Sequence, residues 1–109
     1  MDRYKADEYT YRVFWSEEDK AWVSTCAEFK SLSNISDLSL HDALAGMVEL
    51  LRDVLDDIYE EGEEPPAPFS KRAYSGHISV RMPPEKHRMI AIESAEQNVS
   101  INQLIVARV

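Results

Sequence analysis

Few side chains in this sequence are of types that make or break bonds. There are three histidines and one cysteine. His77 and His87 fall on different elements, so they do not form the spaced pair that a metal ion selects. His41 falls in the first turn of a helix and reads as a surface residue. Cys26 alternates with Thr25 and Ala27 on a strand, where no spacing sets a base beside it. It reads as a small packed residue rather than a nucleophile. A single thiol also excludes an internal disulfide framework and any zinc site of two or more thiolates. Carboxylates are plentiful, but Asp19 sits in a polar turn, Asp53 and Asp57 lie on a helix, and the first strand has none. No set converges at a spacing suited to metal-assisted hydrolysis. No catalytic residue, metal or cofactor is expected. The polar groups that remain are of a binding kind: His77, Ser79 and Arg81 alternate along one short strand, and Ser100 precedes a short apolar helix.

The elements that position these groups are legible from periodicity. Residues Tyr9–Trp15 alternate as a strand, with Tyr9, Tyr11, Val13 and Trp15 on one face. Ser16–Lys20 is a polar turn. Ala21–Glu28 reads as a second strand and Leu32–Ser36 as a third, and the short connections favour an antiparallel meander. Trp15 and Trp22 flank the first hairpin and serve either as core or as anchors for a partner. Ser39, with Asp42 three residues on, marks a helix start. Leu40, Ala43, Leu44, Met47, Val48, Leu51, Leu55 and Ile58 then make one apolar stripe able to cover a face of the sheet. Its opposite side carries Glu49, Asp53, Asp56, Asp57, Glu60 and Glu61, a solvated acidic face. Gly62 can end the helix, and the prolines of 65–68 keep it from resuming.

Beyond that break, Gly76–Met82 reads as a strand with Ile78, Val80 and Met82 on one side and His77, Ser79 and Arg81 on the other. Pro83 stops it. A helix runs from Pro84 to Gln97, Asn98 suits a left-handed cap, and Ser100 with Gln103 opens a last helix bearing Ile101, Leu104 and Ile105. The break divides the charge as well. Residues 1–69 hold 6 Lys+Arg against 17 Asp+Glu, a net of −11, and residues 70–109 hold 6 against 3, a net of +3, together the −8 of the whole chain. A basic tail can approach phosphates, while an acidic body favours basic proteins. With 109 residues, 44% of them hydrophobic, wholesale disorder is excluded. No apolar run reaches the ~18 residues of a membrane span. Met1-Asp2-Arg3-Tyr4-Lys5 is not the start of a secretory signal. A small acidic protein of the cytoplasm is the expectation.

A strand followed by two short helices has too little core to stand alone, and its strand has no partner in the sequence. Two such chains can pair their strands antiparallel across a two-fold axis. The run HISVRMPPEKHRMIAIESAEQNVSINQLIVARV resembles the ribbon-helix-helix family of small bacterial regulators, with Lys86 where an apolar residue is common. That resemblance implies that His77, Ser79 and Arg81 face base edges in a DNA major groove. There Arg81 can offer a guanine two parallel donors. It also implies that the amides of Ser100, Ile101 and Asn102 meet a phosphate.

The whole chain resembles HicB-type antitoxins that end in such a domain. The residues carrying this are Tyr11-Arg12-Val13, DKAWVSTCAEFKSLS, LSLHDALAGMVELLRDVLDDIYEEGEEPPAPFSKR and YSGHISVRMPPEKHR. Phe29-Lys30-Ser31 replaces the usual turn before the third strand. The resemblance implies an α+β chain: a β-β-β-α-β sheet with one helix packed on it, a partial RNase H-like fold, followed by a dimeric ribbon-helix-helix domain. Its fourth strand would lie near Pro68–Ala73. The implied division is an acidic toxin-binding domain over 1–69, a linker region with a possible edge strand over 62–74, and a DNA-binding domain over 75–109. The implied function is antitoxin and autorepressor, not enzyme. One end masks a HicA-type toxin ribonuclease, through residues left open here, and the other holds operator DNA as a homodimer or higher homo-oligomer. The alternative is a stand-alone ribbon-helix-helix regulator whose N-terminal domain senses a ligand.

Overall fold

The computed structural model describes residues 3–109; Met1 and Asp2 of the charged N-terminal run lie outside the described residues. The chain is α+β and divides into two compact units, the first ending at Tyr74 and the second spanning Ser75–Val109. None of the described helices is long and apolar enough to cross a membrane.

The first unit is a three-stranded antiparallel sheet in the order β1-β2-β3, formed by β1 (Tyr11–Ser16), β2 (Ala21–Cys26) and β3 (Phe29–Ser36). The alternation that predicts the first strand from Tyr9 is real, but Tyr9 itself follows a 3-10 turn, Ala6–Glu8, and its hydroxyl donates to the Pro66 carbonyl at 2.8 Å. The second strand stops at Cys26, because Ala27 and Glu28 make the connection to β3. The third begins earlier than the apolar pattern predicts. Cys26 pairs with Phe29 while Thr25 pairs with Ser33, so the residues between bulge out and blur the alternation.

Helix α1 (Leu40–Glu60) starts where Ser39 Oγ accepts the Asp42 N–H at 3.0 Å. It ends at Gly62, whose φ of 75° places it in the left-handed region. There the Gly62 N–H donates to Tyr59 O and the Glu63 N–H to Ile58 O, both at 3.1 Å, a Schellman arrangement. The apolar stripe of α1 lies on the sheet. Met47, Leu51 and Leu55 meet Ala6, Tyr9 and Cys26 in one cluster, flanked by Tyr4, Tyr11, Phe29 and Leu32. Register puts Tyr11, Val13, Trp15, Cys26, Ser24, Trp22 and Asn34 on that face.

The expected fourth strand is corrected by the structure. Residues 68–73 hold a 3-10 turn, Phe69–Lys71, and add nothing to the three-stranded sheet. Pro65, Pro66 and Pro68 supply no N–H to a ladder, and their fixed φ suits a docked extended path. The stretch read as a linker is pinned instead. Phe69 N–H donates to Glu28 Oε2 at 2.9 Å, Ser70 Oγ donates to the Glu8 carbonyl at 2.7 Å, and Lys71 pairs with Glu8 at 3.0 Å. Pro65 and Pro68 are buried.

The second unit holds α2 (Pro84–Gln97) and α3 (Ile101–Arg108) behind the extended segment 75–83. Asn98 is left-handed, with φ 57° and ψ 42°, and the N–H groups of Asn98 and Val99 close on Ala95 O and Ser94 O. An ion pair between Arg108 and Glu93 joins the two helices.

Candidate functional site

The second unit carries the polar residues that the sequence singles out. Pro83 and Pro84 start α2 at the N-terminal position where a missing N–H costs nothing. Ser100 caps α3: its Oγ accepts the Gln103 N–H at 3.0 Å, and its own N–H donates to Gln103 Oε1 at 2.8 Å. This capping box uses the Ser100 amide. Of the three amides expected to face an anion, those of Ile101 and Asn102 remain as first-turn donors without an intrahelical acceptor.

The expected strand Gly76–Met82 is not a hydrogen-bonded strand here, which corrects the reading as far as a single chain goes. A ladder needs a second strand, and the single chain has none to give this segment. His77, Ser79 and Arg81 are all exposed. Gly76, with φ 78°, turns the chain into the segment, and the His77 N–H donates to Ser75 Oγ at 3.0 Å. An open hollow of about 680 Å³ lies between the segment and α3, and His77, Arg81, Ile101 and Asn102 line it together with Ile78, Val80, Ile105 and Val106. Four of the six singled-out residues thus share one hollow; Ser79 and Ser100 do not line it.

The hollow exposes apolar surface. Ile78 is 80% exposed and Val80 is 61% exposed. Met89, Ile92 and Val106 are also exposed. The buried residues of the whole unit are Ser94 and Leu104. Ser94 fits there because its Oγ donates to the Ala91 carbonyl at 3.0 Å.

Among the described residues no group of three or more His, Cys, Asp or Glu side chains could hold a metal ion. Cys26 is buried, and burial pushes its thiol up; the Sγ stands 3.4 Å from Glu28 Oε1. His41 and His87 are exposed. Burial also raises the Tyr11 phenol to about 12 and the Tyr9 phenol further, so both stay neutral donors, Tyr11 to the Ala6 carbonyl at 2.6 Å. A hollow of about 260 Å³ is lined by Arg3, Tyr4, Lys5, Arg52, Asp56 and Tyr59 among others, with the Arg3 guanidinium 4.8 Å from the centre of the Tyr59 ring. Sequence periodicity misses this hollow, because its residues come from the chain start and from the far end of α1.

Trp15 and Trp22 pair edge to face, with ring centres 5.2 Å apart, on the sheet side that α1 covers. They lie at its margin: Trp15 is 44% exposed and Trp22 half-buried. Trp15 Nε1 donates to Glu17 Oε2 at 2.8 Å.

In chain order, an acidic sheet-and-helix unit is followed by an exposed segment bearing Arg81 and then by two short helices. Residues 55–109, half of the chain, match the model of the HicB family, and the chain belongs to that family. The match runs from the last turns of α1 to the C-terminus, and membership is consistent with an antitoxin's role in a toxin–antitoxin pair. Neither a curated protein nor a solved structure gives a match.

Proposed function

We propose that the protein is the antitoxin of a toxin–antitoxin pair: its acidic first unit binds and masks a small basic HicA-type mRNA-cleaving ribonuclease, and its second unit, paired with a second copy as a ribbon-helix-helix, binds operator DNA and represses transcription. Both targets, mRNA and operator, belong to the cytoplasm. The observation that carries the reading is the incomplete core of Ser75–Val109. A unit whose buried residues are Ser94 and Leu104, while Ile78 and Val80 face solvent, does not bury enough apolar surface to fold alone. A second copy supplies both missing parts, a strand for segment 76–82 and a cover for its apolar side chains. The charge agrees: a net of +3 over residues 70–109 suits a phosphate backbone, and −11 over residues 1–69 suits a basic ribonuclease.

The test is the mass of the full chain by light scattering at micromolar concentration. At least two chains per particle are expected. Ile78→Asp, which sets a charge on the face to be covered, should shift the protein toward monomer while the first unit keeps its thermal transition. A folded monomer of the unaltered chain overturns the ribbon-helix-helix reading, and so does a dimer indifferent to Ile78→Asp.

A further inference from the structure

The sheet of the first unit has one end where exposed apolar side chains and the exposed carboxylates of two connections come together. Register brings this end together: Trp22 pairs with Trp15 on one side and with Ser36 on the other. The turn after Trp15, the two residues beyond Ser36 and the start of α1 therefore meet at the same end of the sheet. Leu38 is 79% exposed there, and Leu40 and Trp15 are exposed beside it. Leu38 directly precedes the N-cap Ser39, the position from which an apolar side chain normally folds over the fourth helical residue as a staple. Here that residue, Ala43, is fully buried while Leu38 stays in solvent, so the leucine is not used to fix the helix start.

The carboxylates come from both connections. Glu17, Glu18 and Asp19 are exposed in the turn after β1, and Asp37 and Asp42 are exposed around the start of α1. The nearby cation, Lys20, is already paired with Glu17. Phe14 and Ile35 are also exposed, on the open face of the sheet on either side of the buried Val23, and Phe69 and Tyr74 are exposed after α1. Phe14 and Ile35 have Arg12, Thr25 and Ser33 as neighbours on that face, and the Arg12 guanidinium lies 5.9 Å from the centre of the Phe14 ring, a cation already in place there.

We propose that Trp15, Leu38 and Leu40, together with the acids of the 16–20 turn and of the α1 start, form the surface on which the first unit docks a basic protein. This rests on the antitoxin reading and names the contact that reading needs. Apolar anchors in the centre with charge at the rim is the anatomy of a protein interface, where the centre sets how long the complex lasts and the rim how fast it forms.

The probe is the product of a small basic HicA-type reading frame adjoining the gene for this chain, with the full-length chain immobilised and rates read by surface plasmon resonance. Leu38→Ser should raise the dissociation rate about tenfold or more, the loss typical of an anchor. Because Leu38 packs on so little, its melting temperature should not move. Glu18→Lys combined with Asp37→Lys should slow association several-fold at low salt, with the difference fading as salt screens it. Phe14→Ser, on the open face beside the Arg12 guanidinium, should leave both rates alone. If the unaltered chain binds and the Leu38 and charge variants bind equally well, or if only Phe14→Ser weakens the complex, the docking surface is overturned and the antitoxin reading stands. If the unaltered chain does not bind that ribonuclease, the antitoxin reading falls and this surface with it.

Discussion

The carboxylate of Glu28 accepts the Thr10 N–H and hydroxyl at 3.1 Å on one side and the Phe69 N–H at 2.9 Å on the other. One side chain thus ties the residue before β1 to the 3-10 turn that replaces the expected fourth strand. Burial pushes the Glu28 carboxyl up, but the amide donors of Phe69 and Thr10 outweigh it and hold the group below its ordinary value of 4.5. A carboxyl whose pKa is lower folded than unfolded contributes stability above the unfolded value and loses it as pH falls through the folded one. Glu28→Gln should therefore lower stability at neutral pH by about 1–2 kcal/mol, a charge-assisted network discounted for its partial exposure. The same change should flatten the acid side of a plot of melting temperature against pH. An unaltered acid limb would mean that other carboxylates set it. Glu8, also held below its ordinary value by its hydrogen bond to Lys71, is one such carboxylate and should remain in the variant. None of this was legible in the sequence, because Glu28 meets Phe69 only after the sheet has formed.

At the scale of elements, the helix and turn signals were legible and the sheet margins were not. Ser39, Gly62, Asn98 and Ser100 all do what their residue types dictate, since caps depend on neighbours three or four positions away. The fourth strand failed because the amides of Phe69, Lys71 and Arg72 are spent on the Glu28 carboxylate and the Pro68 and Phe69 carbonyls, and the bulge at Thr25/Cys26 hid the start of β3. The contact that fixes α1 on the sheet was also invisible. Gly46 lies in mid-helix, where glycine costs about 1 kcal/mol relative to alanine. It leaves room for Asn34, whose Nδ2 donates to the Ala43 carbonyl at 3.0 Å. A Cβ at position 46 would meet the Asn34 amide, with its Cγ at 2.9 Å. Gly46→Ala should thus destabilise the fold by about 1–2 kcal/mol, the lost buried hydrogen bond exceeding the gain in helix propensity. In an Asn34→Ala background the same change should become neutral or stabilising. Additive effects in that cycle, measured by urea unfolding, would show that the two residues do not meet as described.

At the scale of the whole molecule, the two units differ in how far each is finished. The first has a core of its own around Met47, Leu51 and Leu55, whereas the second leaves Ile78 and Val80 exposed. The family match covers the second unit and only the end of the first. Alternation marks His77, Ser79 and Arg81 in the sequence, whereas the segment that carries them forms no hydrogen-bonded strand within one chain. The proposed division of labour has a sharp consequence at Arg81. Its side chain is exposed and forms no ion pair among the described residues, so the fold does not need its guanidinium. In a paired ribbon both copies would enter one major groove, and each bidentate contact to a guanine is worth about 1–3 kcal/mol, so two-fold symmetry doubles the loss. Arg81→Ala should weaken operator binding by about 2–6 kcal/mol, enough to abolish repression, while growth rescue from the toxin persists. A gel shift and a rescue assay on the same variant separate the outcomes. Unchanged operator affinity removes Arg81 from the readout. Lost rescue by a variant that still folds and dimerises means that toxin capture is not confined to the first unit.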